Sequence, residues 1–359
     1  MESQYNPMVR ILYTACKYDY MDVKRGYSFE HYNFYGTLSK LPQFEIIYFP
    51  YERMHEVGKD KMNEELRELV DKEKPNILLA IIFTDELKKE VIGEISKNTN
   101  TQTIAWFCDD SWRFDNYSKY WAPYFNWVVT ADSRAPEKYH KIGYKNVIKS
   151  QFACNHFLYK PLNLPKIYDV TFIGQPHSNR KKIIEKIKKT GINIKCWGKG
   201  WSNGRVSQEE MIKIFSQSKI NLNLTKSSGN ISLKELVKIF LKRKNNKSIQ
   251  IDNPHHWIDN FKSFLGKRRE QIKGRNFEIP GCQGFLITGD ADNLCDYYED
   301  GNEIVIYKDT NDLINKIKYY LEHDEEREVI AHAGYKRTLQ DHTYEKRFNE
   351  IFKTIGLIK

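Results

Sequence analysis

The sequence predicts an α/β protein made of two doubly wound, Rossmann-like domains, and three observations lead there. Strand-like apolar runs alternate with helical stretches along most of the chain. At 359 residues the chain exceeds what one hydrophobic core usually organises. The stretch 153–165, with two prolines and no period, interrupts the alternation near the middle. A 40% hydrophobic and 14% aromatic composition supplies both cores and excludes general disorder.

In chain order, 8–15 reads as an apolar strand, 28–41 as a helix, 44–49 as a strand and 61–74 as a charged helix of good formers. Residues 76–83 form a buried strand, 86–97 a helix, 103–107 and 127–131 strands, and 135–142 a helix. After the break, strand 170–173, helix 180–189, strand 192–197, helix 208–217 and strand 220–224 repeat the pattern. The domain boundaries that follow are 1–152, a linker 153–166, and 167–340, with residues 341–359 as a C-terminal helix packing back on the N-terminal domain. No internal repeat is present.

Charge is uneven. Between Lys234 and Arg275 stand twelve Lys and Arg against four Asp and Glu, so most of the formal +10 lies in one segment. Within it, apolar residues at 233, 236, 237, 240 and 241 alternate with lysines at 234, 238 and 242, the pattern of a basic amphipathic helix. It reads either as docking to an anionic membrane or polyanionic acceptor, through 231–273, or as an insertion helix with solvated lysines. No nucleic-acid motif accompanies the charge, so nucleic acid is not an expected partner. The six cysteines are scattered without a C-x-x-C pair, and MESQYNPMVRILY carries no signal-peptide hydrophobic region. These features predict a reduced, cytoplasmic setting, peripheral to the membrane if the basic segment docks there.

Residues 275–307 carry the most chemistry. They read as a loop, a helix start bearing Glu278, a glycine-bearing turn, an apolar strand, then a second helix and strand. That order puts a carboxylate and free backbone N–H groups at the end of a parallel strand, where open α/β sheets bind nucleotides. Upstream, strand 170–173 ends at Gly174, and the loop 175–179 leads to Arg180 and Lys181 at a helix start. Gly174 permits close approach, and the helix dipole with Arg180 favours a phosphate; a plain surface helix start is the alternative.

The run Arg275-Asn276-Phe277-Glu278-Ile279-Pro280-Gly281-Cys282, then Gly284-Phe285-Leu286, Gly301-Asn302-Glu303 and Tyr307, continuing through Gly334-Tyr335, Arg337 and His342-Thr343-Tyr344, resembles the donor half of group 1 glycosyltransferases. Within them it is similar to the spore-maturation-protein (CgeB-like) branch. The resemblance implies the GT-B fold, with two Rossmann-like domains facing across a cleft. It also implies transfer from a nucleotide-sugar donor, such as a UDP- or GDP-sugar, to a glycan, lipid-linked or protein acceptor, with no metal or other cofactor required. A noncatalytic sugar-nucleotide or glycan-binding homologue is the alternative, and an epimerase a third reading.

On that resemblance Glu278 receives the donor ribose hydroxyls, Arg275 contacts phosphate or sugar, and Gly281 and Cys282 form the small turn beside them. Gly198, Lys199 and Trp201 resemble the nucleobase-side loop. Asn221 and Asn223 border the donor or are structural. Glu270 and Glu278 enclose seven residues, the spacing of the two-glutamate signature of retaining members, although the filling differs. Gln283 stands where a glycine is common. On the acceptor side, Asp109 or Asp110 orients or deprotonates an acceptor hydroxyl, or the two are a helix cap and a surface aspartate. His31, in the segment Arg25–His31, is a second base candidate or a structural histidine. Asp290-Ala291-Asp292 reads as capping rather than as a metal site.

Overall fold

The computed structural model describes residues 8–177, 179–225, 233–243 and 249–358. Ser178 of the loop before Arg180, residues 228–232 at the start of the basic segment, and Lys244 and Lys247 within it lie outside the described residues. The chain divides into two compact units: residues 1–151 with 344–359, and residues 152–343.

The first unit holds a parallel sheet of β1 (Val9–Ala15), β2 (Phe44–Pro50), β3 (Ile77–Ala80), β4 (Gln102–Phe107), β5 (Trp127–Thr130) and β6 (Val147–Lys149), in the order β2-β1-β3-β4-β5-β6. β1 and β3 are buried almost throughout, which is why they read as continuous apolar runs rather than alternations. Helix α1 (Lys59–Glu73) covers the sheet with Met62, Leu66 and Val70, one turn apart on one face. Helix α2 (Lys89–Asn98) starts later than 86, because Glu86 turns its carboxylate onto the backbone N–H of Thr84 and fixes a loop there. Helix α3 (Ala135–Lys141) precedes β6.

Two helical stretches depart from the sequence reading. The helix expected over 28–41 is π-helical at His31–Tyr35 and ends at Leu38. The stretch from Asp110 to Trp121, to which the sequence reading assigned no helix after strand 103–107, is helical in three short pieces.

The second unit is a parallel sheet of β7 (Tyr168–Ile173), β8 (Ile194–Trp197), β9 (Ser218–Asn223) and two later strands, with helices α4 (Arg180–Lys189) and α5 (Gln208–Gln217) between the first three. Ile183, Ile184 and Ile187 are the buried stripe of α4. Ser207 caps α5 by accepting the Glu210 N–H at 3.1 Å. The basic segment follows as α6 (Leu233–Phe240), an antiparallel pair β10 (Leu241–Arg243) and β11 (Ile249–Ile251), and α7 (Trp257–Gly266). Next come α8 (Arg275–Gly281), β12 (Leu286–Gly289) and β13 (Val305–Tyr307), giving the order β13-β12-β9-β7-β8. The second helix expected between β12 and β13 is a single 3₁₀ turn, Leu294–Asp296. Helices α9 (Thr310–Glu322) and α10 (Asp324–Asp341) close this unit. Helix α11 (Tyr344–Thr354) belongs to the first unit, with Phe348 against Phe34 and Trp106 and Phe352 against Phe44.

In each sheet the chain reverses direction once, between β1 and β3 in the first and between β7 and β9 in the second. Loops at the carboxyl ends of those strand pairs diverge and leave a crevice, the usual ligand position in doubly wound folds. Among the described residues, no helix is long and apolar enough to cross a membrane.

Candidate functional site

In the second unit the crevice is organised by Arg180, the first residue of α4. Its Nη2 donates to the Leu224 carbonyl at 2.7 Å and its Nη1 to that of Gln175 at 3.2 Å, so it ties the loop after β9 to the loop after β7. Arg180 is only partly exposed and rests over the Phe172 ring at 5.7 Å. Among the described residues its Nε has no hydrogen-bond partner, and no ion pair involves it. Burial pulls its pKa down, opposed only by Tyr307. A cation in this position, satisfied by two carbonyls and no carboxylate, calls for an anion.

The neighbouring glycines are close. Gly198 has φ +133°, and a Cβ there would overlap the Gly174 carbonyl, so the turns after β7 and β8 approach as only glycine allows. Trp201 donates its indole N–H to the Gly174 carbonyl at 2.7 Å and leans edge-on to Phe172. Lys181 and Lys199 are exposed. Tyr307, at the end of β13, lies beside Gly289, and its phenol is pushed up by burial and Glu270, against the charge of Arg180. Thus Gly174, Arg180, Gly198, Lys199 and Trp201 gather on loops at one end of the sheet, with Tyr307 and Glu270 in electrostatic range of each other.

Glu278, on α8, is completely buried. Tyr159 donates its hydroxyl to Glu278 Oε1 at 2.8 Å, and Arg275 pairs with Oε2. Gln208 donates to the same Tyr159 oxygen at 2.7 Å. Gly281 packs so closely on Cys154 that a Cβ would overlap its sulfur, and Cys282 is buried in the same core. Asn221 is bonded inside the sheet, accepting from Thr171 and donating to Phe215. Asn223, one residue before Leu224, donates to Asn276 of α8 at 2.9 Å and so joins α8 to the end of β9. Sequence reasoning missed Tyr159, because the segment holding it reads as linker, and its partner is 119 residues away.

The crevice of the first unit is a pocket lined by Asp19, Tyr20, Glu30, Phe83, Asp109 and Arg113, with Cys16, Trp106 and Tyr117 among the deeper residues. The two aspartates at 109 and 110 separate sharply. Asp109 makes no side-chain cap bond and lines the pocket. Asp110 is fully buried, accepts the Tyr139 hydroxyl at 2.8 Å, and is raised to about 7 by burial, against the hydroxyls of Ser118, Thr130 and Tyr139. Neither half of the cap-and-surface alternative describes them.

His31 is stacked between Tyr27 at 4.2 Å and Tyr35 at 5.0 Å, and burial, with Lys17, holds it down at about 4. It does not line the pocket; Glu30 does. Burial raises Glu30, and the Asp19 and Asp109 charges add to that. Arg113 donates to the Phe83 carbonyl at 2.6 Å and stacks on Tyr117 at 3.8 Å. The sequence signal for Glu30 was its position inside the Arg25–His31 segment, where attention went to the histidine. The arrangement offers carboxylates for hydroxyl groups and aromatic faces for apolar ring surfaces.

Two crevice-bearing parallel sheets define the class. Residues 180–353 match the family described as Glycosyl transferase-like. Sucrose-phosphate synthase from Thermosynechococcus elongatus superposes with a TM-score of 0.61 over 97% of this chain and 99% of its own, at 10% identity. HepE from Anabaena, solved with UDP-glucose, does so at 0.59 over 96% and 99%, at 9% identity. The fold is GT-B, and over residues 180–353 the chain is similar to the group 1 glycosyltransferases. Among them it is similar to spore protein CgeB of Bacillus subtilis (strain 168), 24% identical over 223 residues. That match takes in 61% of this chain and 64% of the relative, less than two thirds of the relative's length.

Proposed function

We propose that the protein transfers a sugar from a nucleotide-sugar donor, a UDP- or GDP-sugar, to a hydroxyl of a glycan, lipid-linked or protein acceptor, with retention of configuration and without a metal ion. The observation that carries this reading is Arg180: a mostly buried guanidinium at the β7/β9 reversal with no counter-ion among the described residues. A diphosphate supplies the missing charge. During transfer the same cation stabilises the negative charge that grows on the leaving diphosphate, the role a metal ion fills in other designs.

Trp201 and the Gly198–Lys199 turn offer a flat face and backbone groups for the base. HepE, a neighbour in fold alone, is solved with UDP-glucose, which makes that donor the first to try. The Glu270 to Glu278 spacing supports retention. The first-unit pocket suits a hydroxyl-rich acceptor, with Asp109 and Glu30 to orient the attacking group, and the basic segment 231–273 suits an acceptor held at an anionic membrane.

Titration calorimetry with UDP, GDP, CDP, ADP and dTDP, with and without magnesium, followed by release of nucleoside diphosphate from the matching sugar nucleotide, tests the reading. Metal-independent binding of one nucleotide and slow donor hydrolysis are expected. No binding to any of them would overturn it. The closed Glu278–Arg275–Tyr159 group favours one rival, a sugar-nucleotide binder without turnover; tight binding with no transfer to any acceptor would select that rival.

A further inference from the structure

Helix α7 is built inside out. Asp259, Ser263 and Gly266 are its buried residues, whereas Ile258, Phe261 and Leu265, spaced three and four apart, are 68%, 45% and 44% exposed. Helix α6 also exposes large apolar residues, Val237 and Phe240, although its Ile239 is buried, and Ile251 at the end of β11 is exposed as well. The two helices pack on each other: Phe240 meets Trp257 edge-on at 5.1 Å, and Asn260 donates to the Ile239 carbonyl at 3.1 Å. Six large apolar side chains between 237 and 265 therefore face outward, more than a free surface of this size usually carries.

Charge decides what covers them. Lys238 and Lys262 are exposed on the same two helices and Arg268 and Arg269 just beyond α7, within the segment of twelve basic against four acidic residues. A second copy of the chain would bring the same positive charge. A nucleic acid would meet the lysines and leave isoleucine, phenylalanine and leucine wet. An anionic lipid surface satisfies both sets, with headgroups for the cations and an acyl boundary for the apolar side chains.

We propose that α6 and α7 dock the protein on anionic membranes by seating Val237, Phe240, Ile258, Phe261 and Leu265 in the lipid interface. The proposal rests on the peripheral-membrane part of the function proposed above, not on its donor chemistry. Docking of this kind holds a donor site near a bilayer-bound acceptor. It differs from electrostatic adsorption because apolar burial, not charge alone, sets the strength.

The test is co-sedimentation of the full chain with vesicles of phosphatidylcholine alone and with about a third phosphatidylglycerol. The wild type, a triple variant Ile258→Ser, Phe261→Ser, Leu265→Ser, and a Lys238→Ser, Lys262→Ser variant are compared, with circular dichroism and UDP binding as fold controls and Ile258→Ser alone as the milder substitute. The wild type is expected on the anionic vesicles only, and the apolar variant, with unchanged charge, should lose roughly tenfold or more of that partition. If the apolar variants bind like wild type while the lysine variant does not, insertion is overturned and electrostatic contact survives. If the wild type ignores both vesicles, the membrane reading falls with it, whatever its donor binding. Self-association removed by the apolar substitutions, without an effect on vesicles, would make this face a contact between copies and also overturn the proposal.

Discussion

Arg180 and Leu224 are 44 residues apart and joined by one hydrogen bond of 2.7 Å from the guanidinium to a main-chain carbonyl. That bond crosses the point where the second sheet reverses direction, since Arg180 follows β7 and Leu224 follows β9. The loops at this reversal, where doubly wound domains hold their ligands, are thereby fixed by a side chain with no counter-ion among the described residues, so on the function proposed above part of the donor site is organised before the donor binds.

Glu278 makes a different kind of contribution. Because the fully buried Glu278 is bonded to Tyr159 and to a partly exposed Arg275, Glu278→Ala takes the carboxylate from both, and the fold is expected to lose about 1.5–3 kcal/mol. Reading Glu278 as an open ribose ligand implies a substitution that spares the fold; the closed pair implies that it does not. Urea denaturation checks this, and Arg275→Met added to Glu278→Ala should recover much of the loss.

Asp110 gives a pH signature of stability. Its folded pKa, raised to about 7 by burial, exceeds the unfolded value near 3.8, so the folded state binds the extra proton between them. The associated stability is fully present below about pH 4 and is lost as pH rises through about 7, on the order of a few kcal/mol. Asp110→Asn should flatten that slope in denaturation midpoints measured from pH 5 to 8. An unchanged slope would show that Asp110 is ionised throughout.

Asp109 and Glu30 line the first-unit pocket, and Asp109 carries no capping bond to lose. Asp109→Asn and Glu30→Gln are each expected to cut sugar transfer by roughly 10²-fold or more while leaving nucleotide affinity and thermal midpoint near wild type. His31→Gln, which removes a stacked neutral ring outside the pocket, should instead lower stability and show no loss of a titrating group near pH 6.5.

Much of this was legible in the sequence, for physical reasons that also mark where it stopped. Buried parallel strands announce themselves as short apolar runs, so β1, β3 and β4 were readable, and α4 and α5 carry apolar stripes that fix their bounds at 180–189 and 208–217. The helical stretch from Asp110 to Trp121 was not, because a π turn breaks it into short pieces and Trp112 and Tyr120 stand off the Phe114–Tyr117–Trp121 spacing. At the candidate site, Arg180 was visible as a basic residue after a glycine-ended strand, but its partners are main-chain carbonyls, which residue identity does not encode. Tyr159 was invisible, and Glu30 marked only by its place in the Arg25–His31 segment, for another reason: each acts through neighbours brought in by the fold, Glu278 in one case and Asp19 and Asp109 in the other.

Gln283 holds φ at +53°, in the left-handed region, at the turn between α8 and β12. A side chain there costs roughly 1 kcal/mol relative to glycine. Gln283→Gly is therefore expected to leave stability unchanged or raise it by up to about 1 kcal/mol, the relief of strain being partly offset by a more flexible unfolded chain. A fall in the urea midpoint would show that the glutamine makes a compensating interaction.

The most direct test of the donor-site account is calorimetric titration of the preferred nucleoside diphosphate into wild type and Arg180→Met, with the thermal midpoint of each measured without ligand. The account predicts that affinity falls by roughly 10- to 100-fold, as expected for a lost charge-assisted hydrogen bond, while the ligand-free midpoint holds or rises because an uncompensated cation has gone. Equal affinity in the two proteins would contradict it, and would place the diphosphate away from the β7/β9 reversal.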